Sequence, residues 1–149
     1  MVSRDETHSS QVIHNSATIR IERGDEEGQP IIKKILLDIR GLAYLYNEFN
    51  ILTKVLSDCG AARGAIWKGR GVDGKLVTYL EWVEGCSLAT WLQRHPPPTS
   101  YMIASDDLED RVNIAKAIAH AVSQIHEQGV VHHDLTPENI MIDFERGAG

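Results

Sequence analysis

The side chains best suited to chemistry lie in residues 130–143, which read V-V-H-H-D-L-T-P-E-N-I-M-I-D. An apolar run leads into a turn that carries Asp134, and Asn139 follows five residues later, ahead of a second apolar run. A carboxylate in such a turn can orient an attacking hydroxyl and accept its proton, while a nearby amide oxygen can bind Mg²⁺. The spacing therefore favours phosphoryl transfer to a hydroxyl. The alternative is a buried turn in which the hydrogen bonds of both side chains are satisfied.

Composition and charge narrow the class of protein. A length of 149 residues fits one compact domain by the usual ~100–200 residues per domain. The net charge of −6 argues against nucleic-acid binding, which needs a basic face. Cys59 and Cys86 provide no disulfide framework, which favours a reducing compartment. No apolar run approaches the ~18 residues needed to span a membrane, and the polar first ten residues are unlike a signal peptide. A cytoplasmic or nuclear protein is expected.

The first part of the chain has the pattern of short strands. Residues 11–14, 18–22 and 31–36 are predicted to be strands, since apolar and polar residues alternate in the second and two lysines interrupt an apolar run in the third. Residues 23–30, R-G-D-E-E-G-Q-P, are predicted to form the turn between the second and third strands. These segments predict three short strands.

A helix is predicted next, because Leu45, Phe49, Leu52 and Leu56 recur at steps of four, three and four. Gly60 is predicted to end it. Residues 65–68 and 75–82 then form a predicted hairpin around G-V-D-G, which completes five strands.

The remainder of the chain is predicted to be mainly helical. Residues 87–94 form a short helix that prolines 96–98 stop. Apolar residues then keep helical spacing from Leu108 to His126, with a capping box at Asp106 and Glu109 and a stop at Gly129. Strands followed by helices predict an α+β fold.

In this order the elements and the pattern H-x-D-L-x-P-x-N resemble the protein kinase domain. The resemblance implies a protein-kinase-like two-lobe fold, with a five-stranded antiparallel sheet and the αC helix in the N-lobe and a partial helical C-lobe. Residues 1–8 are expected to be a disordered lead-in and residues 9–84 the N-lobe and hinge. Residues 85–149 are expected to be the start of the C-lobe, ending after the catalytic loop.

The resemblance also implies catalytic roles. In P-I-I-K-K-I-L, Lys34 lies where kinases carry the lysine that pairs with the nucleotide phosphates, and Lys33 is expected on the opposite strand face. Glu48 follows by fourteen residues, where the family's helix glutamate pairs with that lysine. Asp134 corresponds to the catalytic aspartate and Asn139 to a Mg²⁺ ligand, so ATP and Mg²⁺ are the implied cofactors. A surface lysine and a surface glutamate are the alternative for the first pair.

The segment L-E-W-V-E-G-C-S-L resembles the hinge between kinase lobes. The residues that the resemblance implies around the nucleotide are Leu80 as gatekeeper, Glu81 and Val83 through their backbones, Ser87 near the ribose, and Ile19, Ile32 and Met141 around adenine. Plain core packing is the alternative for the apolar members.

Several positions depart from the family pattern. The stretch V-I-H-N-S-A-T-I replaces the glycine-rich phosphate loop, with Ala17 at the last glycine and Ile19 at the valine. His133 replaces the arginine of H-R-D, and Thr136 replaces a lysine. Asp143 lies too close to Asn139 to begin D-F-G, so we expect a domain truncated before that motif and inactive as a fragment.

Three functions stay open at this point. The first is an ATP-dependent protein kinase domain, of Ser/Thr type rather than Tyr type, that acts on an unidentified protein substrate. The second is a nucleotide-binding regulatory module or pseudokinase, such as the kinase-like front end of a sensor histidine kinase. The third is a small-molecule phosphotransferase of the kinase-like superfamily, whose loop also reads H-x-D-x-x-x-x-N.

Overall fold

The computed structural model describes residues 10–97 and 105–143, with the side chains of residues 105 and 106 excepted. The chain divides into two compact units. The first comprises residues 1–58 and 63–82, and the second comprises residues 59–62 and 83–149. The predicted lead-in at residues 1–8 lies outside the described residues.

The first unit is built on a five-stranded antiparallel sheet in the order β1-β2-β3-β5-β4. Its strands are β1 (Gln11–Asn15), β2 (Ile19–Glu26), β3 (Gln29–Leu36), β4 (Ala65–Arg70) and β5 (Leu76–Glu81). A short 3-10 turn (Ile39–Gly41) leads into helix α1 (Leu42–Lys54). The buried core comprises Ile19, Ile31, Ile32, Ile35, Leu45, Leu56, Val77 and Leu80. The predicted α+β class and the five-stranded antiparallel sheet are confirmed.

The predicted turn at residues 23–30 is wrong. β2 continues to Glu26 and β3 begins at Gln29, which leaves a two-residue turn. Glu27 and Gly28 both have positive φ, 52° and 82°, and the Gly28 amide donates to the Asp25 carboxylate at 2.8 Å. Two consecutive residues with positive φ form a type I′ turn, whose twist matches the twist of the two strands that it joins. Pairing with β3 therefore overrides the loop-like composition of this segment.

The predicted end of the first helix at Gly60 is also wrong. α1 ends at Lys54, and the amides of Val55 and Leu56 both donate to the carbonyl of Ile51 at 3.0 and 2.9 Å. Leu56 keeps the helical spacing of apolar residues and is buried, although it lies beyond the helix. Periodicity alone therefore overestimated the helix length.

The second unit contains helices α2 (Leu88–Arg94) and α3 (Ser105–Glu127) and a 3-10 turn (Pro137–Asn139). Strands β6 (Cys86–Ser87) and β7 (Met141–Ile142) pair antiparallel. The two predicted helices are confirmed.

Glycine closes α3 as predicted. Gly129 has φ +77° and its amide donates to the carbonyl of His126 at 2.8 Å. The predicted capping box involves the side chain of Asp106, which lies outside the described residues.

Within residues 10–97 and 105–143, no helix has the length and apolar character that crossing a bilayer requires.

Candidate phosphoryl-transfer site

The predicted ion pair between Lys34 and Glu48 is present in the first unit. The Lys34 Nζ donates to the Glu48 Oε1 at 2.5 Å. The lysine side chain is 10% exposed and the glutamate side chain 24% exposed. Charge pairs removed from water to this degree interact more strongly than surface pairs, so the contact fixes the position of the lysine amine.

Sheet register explains the placement of Lys34. Lys34 lies opposite Ile21 of β2 and Thr78 of β5, and Lys33 lies opposite Glu22 and Tyr79. Successive residues of a strand point to opposite faces, so the two lysines face different ways, as predicted.

Helix α1 supplies the acid. Leu45 is fully buried, and Glu48 follows three positions later, on the same side of the helix. The apolar face that anchors α1 therefore brings the carboxylate to the strand.

Three predicted nucleotide contacts share a sheet face with Lys34. Ile32 lies directly opposite Leu80 in the β3–β5 ladder, and Ile19 lies opposite Leu36 in the β2–β3 ladder. Paired residues point to the same face and alternate residues repeat it, so the register places Ile19, Ile32 and Leu80 on the face that carries Lys34. All three are buried, at 8, 5 and 2% exposure. The contacts of Ile19 and Ile32 with adenine and the gatekeeper role of Leu80 stay predictions.

Glu81 is the last residue of β5, and its amide and carboxylate both bond to Gly64. Its amide donates to the carbonyl of Gly64 at 2.8 Å, and its carboxylate accepts from the Gly64 amide at 3.1 Å. These two bonds fix the start of β4 to the end of β5. The predicted backbone contact of Glu81 with adenine stays a prediction, and the Glu81 amide already donates within the sheet.

The sequence analysis did not identify Arg63, a second cation near this cluster. Burial lowers the pKa of the Arg63 guanidinium, while the negative charges of Glu48 and Glu81 act in the opposite direction. Arg63 therefore contributes positive potential to the same two carboxylates. In the sequence, Arg63 is one charged residue among small residues, C-G-A-A-R-G-A, and this pattern only weakly indicates a functional residue.

In the second unit, Asp134 and Asn139 are in direct contact. The Asn139 Nδ2 donates to the Asp134 carboxylate at 3.1 Å and to its backbone carbonyl at 3.0 Å. The Asp134 amide donates to the His132 Nδ1 at 3.3 Å. Asp134 is exposed, so an acceptor can approach its carboxylate. Because Nδ2 donates both of these bonds, the Asn139 Oδ1 takes no part in them.

The backbone of this loop explains that contact. His133 has φ +61°, a left-handed conformation that is uncommon for residues other than glycine, although histidine adopts it more often than most. The amides of Thr136 and Asn139 donate to the carbonyls of Asp134 and Thr136 at 3.1 and 3.0 Å. Pro137 begins the 3-10 turn, where its fixed φ is favourable. The chain therefore reverses tightly enough to return Asn139 to Asp134.

Ser87 and Met141 are paired residues of β6 and β7. Ser87 is the N-cap of α2 rather than its first helical residue, and its hydroxyl accepts from the Thr90 amide at 3.1 Å. The hydroxyl predicted to lie near a ribose is thus already a helix cap. Val83 lies in the same unit, and no described contact tests its predicted role.

Gly85 is a further residue that the sequence analysis did not single out. It has φ +139°, and a Cβ at this position would overlap the carbonyl of Ile142. Only glycine permits the close approach of the β6 segment to the end of β7. In the sequence, the sign of this requirement is the glycine within L-E-W-V-E-G-C-S-L. A glycine alone does not indicate that another strand, here β7, approaches it closely.

Comparison with known proteins gives the family. The protein kinase domain family matches residues 65–148, which is more than half of the chain, and the chain belongs to this family. The matched region contains Leu80, Asp134 and Asn139, whereas Lys34 and Glu48 precede it. The roles assigned to individual residues remain predictions.

Three relatives illustrate the breadth of the similarity. Serine/threonine-protein kinase pkn3 of Myxococcus xanthus is 35% identical over 78 residues, which are 52% of this chain and 13% of that protein. Dual specificity protein kinase zakA of Dictyostelium discoideum is 29% identical over 66 residues, 44% of this chain and 8% of that protein. KEOPS complex subunit Bud32 of Pyrococcus abyssi is 28% identical over 72 residues, 48% of this chain and 28% of that protein. The chain thus matches less than a third of each relative's length.

Proposed function

We propose that this chain contributes to ATP-dependent phosphoryl transfer to protein hydroxyls, of Ser/Thr type. The observation that carries the proposal is the contact between the exposed Asp134 carboxylate and the Asn139 amide, within the region that matches the protein kinase domain. The family supplies the reaction class, and this contact brings together a carboxylate and an amide, the two kinds of group that the reaction uses.

Asp134 would orient the acceptor hydroxyl and receive its proton. The bond from Asn139 holds one carboxylate oxygen, Oδ2, at 3.1 Å and leaves Oδ1 for the acceptor. Exposure of Asp134 gives a protein side chain access to that oxygen. A positioned general base of this kind typically contributes about 10²–10⁴ in rate.

Lys34 would contact the phosphates of the nucleotide. Its ion pair with Glu48 holds the amine on the sheet face that also carries Ile19, Ile32 and Leu80. A fixed cation stabilises phosphate charge without the cost of reorganising at the moment of reaction. Glu48 acts through Lys34 and is a positioning residue in this scheme.

The residues present suit a Mg²⁺ ion bound largely by nucleotide. Mg²⁺ sites in phosphoryl-transfer proteins use one or two protein oxygens together with phosphates and water. The Asn139 Oδ1 is one such oxygen, and in the described parts of the chain no cluster of three or more His, Cys, Asp or Glu residues offers a complete protein cage. Bound Mg²⁺ would neutralise developing phosphate charge, and Asn139 would hold it.

A nucleotide-binding regulatory role is the second candidate. The family pattern has a lysine at the position of Thr136. The Thr136 amide donates to the Asp134 carbonyl, but the threonine side chain carries no charge. The loop therefore lacks the lysine cation that would stabilise the transferred group. A site with this composition can bind nucleotide and transfer phosphate slowly or not at all.

The partners and location are part of the same proposal. The net charge of −6 favours a protein acceptor over nucleic acid. Both cysteines of the chain are free thiols, which supports a cytoplasmic or nuclear location.

The test is transfer of radiolabelled γ-phosphate from ATP to a general acceptor protein, by the full protein that contains these residues. Asp134→Asn should reduce transfer by about a thousandfold, since the amide cannot accept the proton. Glu138→Gln, a change at an exposed neighbour in the same turn, is the matched control and should retain the rate.

Nucleotide binding without transfer by the unmodified protein would favour the regulatory role instead. Equal transfer by the Asp134→Asn protein and the unmodified protein would contradict the proposed role of Asp134. Label found only on small molecules would contradict a protein acceptor.

A further inference from the structure

Lys68 connects the sheet of the first unit to helix α1 through two aromatic rings. It lies on β4, and its Nζ is 4.3 Å from the centre of the Tyr46 ring and 4.9 Å from the centre of the Phe49 ring. Both rings belong to α1 and are three positions apart, so they lie on the same side of the helix. An ammonium group is attracted to the negative face of an aromatic ring. Lys68 therefore binds the helix at two points.

Sheet register relates this contact to the ion pair of Lys34. Thr78 of β5 lies opposite Lys34 of β3 and also opposite Lys68 of β4. Directly paired residues point to the same face of a sheet, so the two lysines project from one face. Glu48, the partner of Lys34, lies in the same turn of α1 as the two rings, residues 46–49. Two lysines of one cross-strand row therefore bind one turn of the helix.

The two lysines have different kinds of partner. Lys34 pairs with a carboxylate, whereas in the parts of the chain that the structure describes no carboxylate forms an ion pair with Lys68. Lys68 is half-buried, and partial removal from water strengthens the attraction between an ammonium and a ring. Lys68 thus attracts the helix without competing for the carboxylate of Glu48.

We infer that Lys68 is a positioning residue that holds α1 in the orientation in which Glu48 reaches Lys34. The inference rests on the proposed role of Lys34 in phosphoryl transfer. A hydrogen bond between an amine and a carboxylate requires close approach, so a small rotation of the helix would open the ion pair. Removing the Lys68 charge should therefore raise the fraction of molecules in which the Lys34 amine is free of Glu48.

The experiment is competitive acylation of the full protein with a trace of acetic anhydride, read at each lysine by mass spectrometry. An amine reacts when it is accessible and unprotonated, so the rate at Lys34 reports how often the ion pair is open. Lys33, on the opposite strand face, is the internal reference. Lys68→Met keeps an apolar stem and removes the charge. It should raise the ratio of Lys34 to Lys33 acylation by about tenfold, the change in an equilibrium expected from losing the cation–π contacts.

Three further variants separate the position of the helix from charge and from general destabilisation. Phe49→Leu removes a ring, leaves every charge in place and should also raise the acylation ratio. Lys68→Arg keeps a cation that binds aromatic faces and should retain the unmodified ratio. Lys75→Met removes a lysine from the turn of the same hairpin, where it pairs with Asp73 at 3.3 Å, and should retain the ratio too.

Transfer assays on the same proteins distinguish this inference from the proposed function. Lys68→Met should lower the kcat of phosphoryl transfer by about tenfold, and Lys68→Arg should retain it. If Lys68→Met and Phe49→Leu leave the acylation ratio unchanged, the positioning role is wrong, and transfer by the unmodified protein would still support the proposed function. A joint rise at Lys34 and Lys33, which indicates unfolding, would equally contradict the role. A raised ratio in a protein that transfers no phosphate would support the role of Lys68 and contradict the proposed transfer.

Discussion

The two clusters of candidate residues are held in place by different kinds of interaction. Lys34 lies in the middle of a five-stranded sheet, is only 8% exposed and pairs with a glutamate fourteen residues away. Asp134 is exposed, and the bonds that hold it come from residues at most five positions away. Tertiary burial fixes the first cluster, whereas local turn geometry fixes the second.

This difference has a consequence for how each cluster responds to substitution. Removing one member of a substantially buried ion pair leaves the other charge without its partner, so activity and stability should fall together. Changing an exposed side chain in a turn should affect chemistry with little effect on folding. Measuring both quantities for each variant therefore tests the comparison.

The largest effect is expected for Lys34→Met. Loss of the cation should slow phosphoryl transfer by roughly a thousandfold. Glu48 would then lack its partner at 24% side-chain exposure, which should lower the free energy of unfolding by about 2 kcal/mol. Transfer assays and denaturant unfolding of the same preparation measure the two effects.

Two variants sharpen this result. Lys33→Met changes the neighbouring lysine on the opposite strand face and should keep the transfer rate. Asp134→Asn should change the free energy of unfolding by less than about 0.5 kcal/mol despite its loss of activity. A large stability loss for Asp134→Asn, or none for Lys34→Met, would remove the distinction between the clusters.

Gly85→Ala should destabilise the second unit by about 3 kcal/mol. The substitution adds both the strain of a side chain at φ +139° and an overlap with the backbone of Ile142. Gly129→Ala is the matched control, because that glycine also has positive φ, +77°, yet nothing lies within 4 Å of the added Cβ. The control should cost only about 1 kcal/mol. Equal losses for the two variants, measured by denaturant unfolding, would show that the close approach of β7 contributes nothing.

A smaller effect is expected for Ser87→Ala. The variant loses the bond to the Thr90 amide at the start of α2, which should cost about 1 kcal/mol of unfolding free energy. Ser87→Asp retains a capping oxygen and should recover most of that loss. Thermal unfolding of the two variants provides the measurement, and identical midpoints would argue against the cap.

The smallest effect concerns the exposed ion pair of Asp38 and Arg40. Hydrogen bonds from the Arg40 side chain and amide lower the pKa of the Asp38 carboxyl. A lowered folded-state pKa contributes stability above the ordinary aspartate pKa, and that stability is lost as the pH falls through the folded value. The stability difference between the unmodified protein and Asp38→Asn should thus be present at pH 7 and decline below about pH 4. A difference that instead grows in acid would contradict this assignment.

The sequence predicted those parts of the molecule that depend on short-range pattern. Apolar spacing identified α1 and α3, and G-V-D-G located the β4–β5 turn. The predicted pairing of Lys34 with Glu48 depended on the resemblance to protein kinases, and the structure contains that ion pair.

Other features depend on contacts that no local pattern encodes. The extension of β2 through Arg23 and Gly24 follows from pairing with β3, and composition alone favoured a turn there. The need for glycine at position 85 becomes visible only once β7 approaches it. The Ser16 hydroxyl likewise accepts from the amides of Thr18 and Ile19, a contact that depends on the folded backbone of the turn between β1 and β2.

The most direct test of the central claim, that Lys34 is the phosphate-contacting amine of a nucleotide site, is labelling of the full protein with an acyl-phosphate derivative of ATP. Attack by a lysine amine on the acyl carbon forms an amide and releases ATP, so mass spectrometry identifies the amine that lies beside the phosphates. We predict acylation at Lys34, suppressed by excess Mg·ATP, with little at Lys33. Labelling of Lys33 alone, or labelling of Lys34 that ATP does not suppress, would contradict the account.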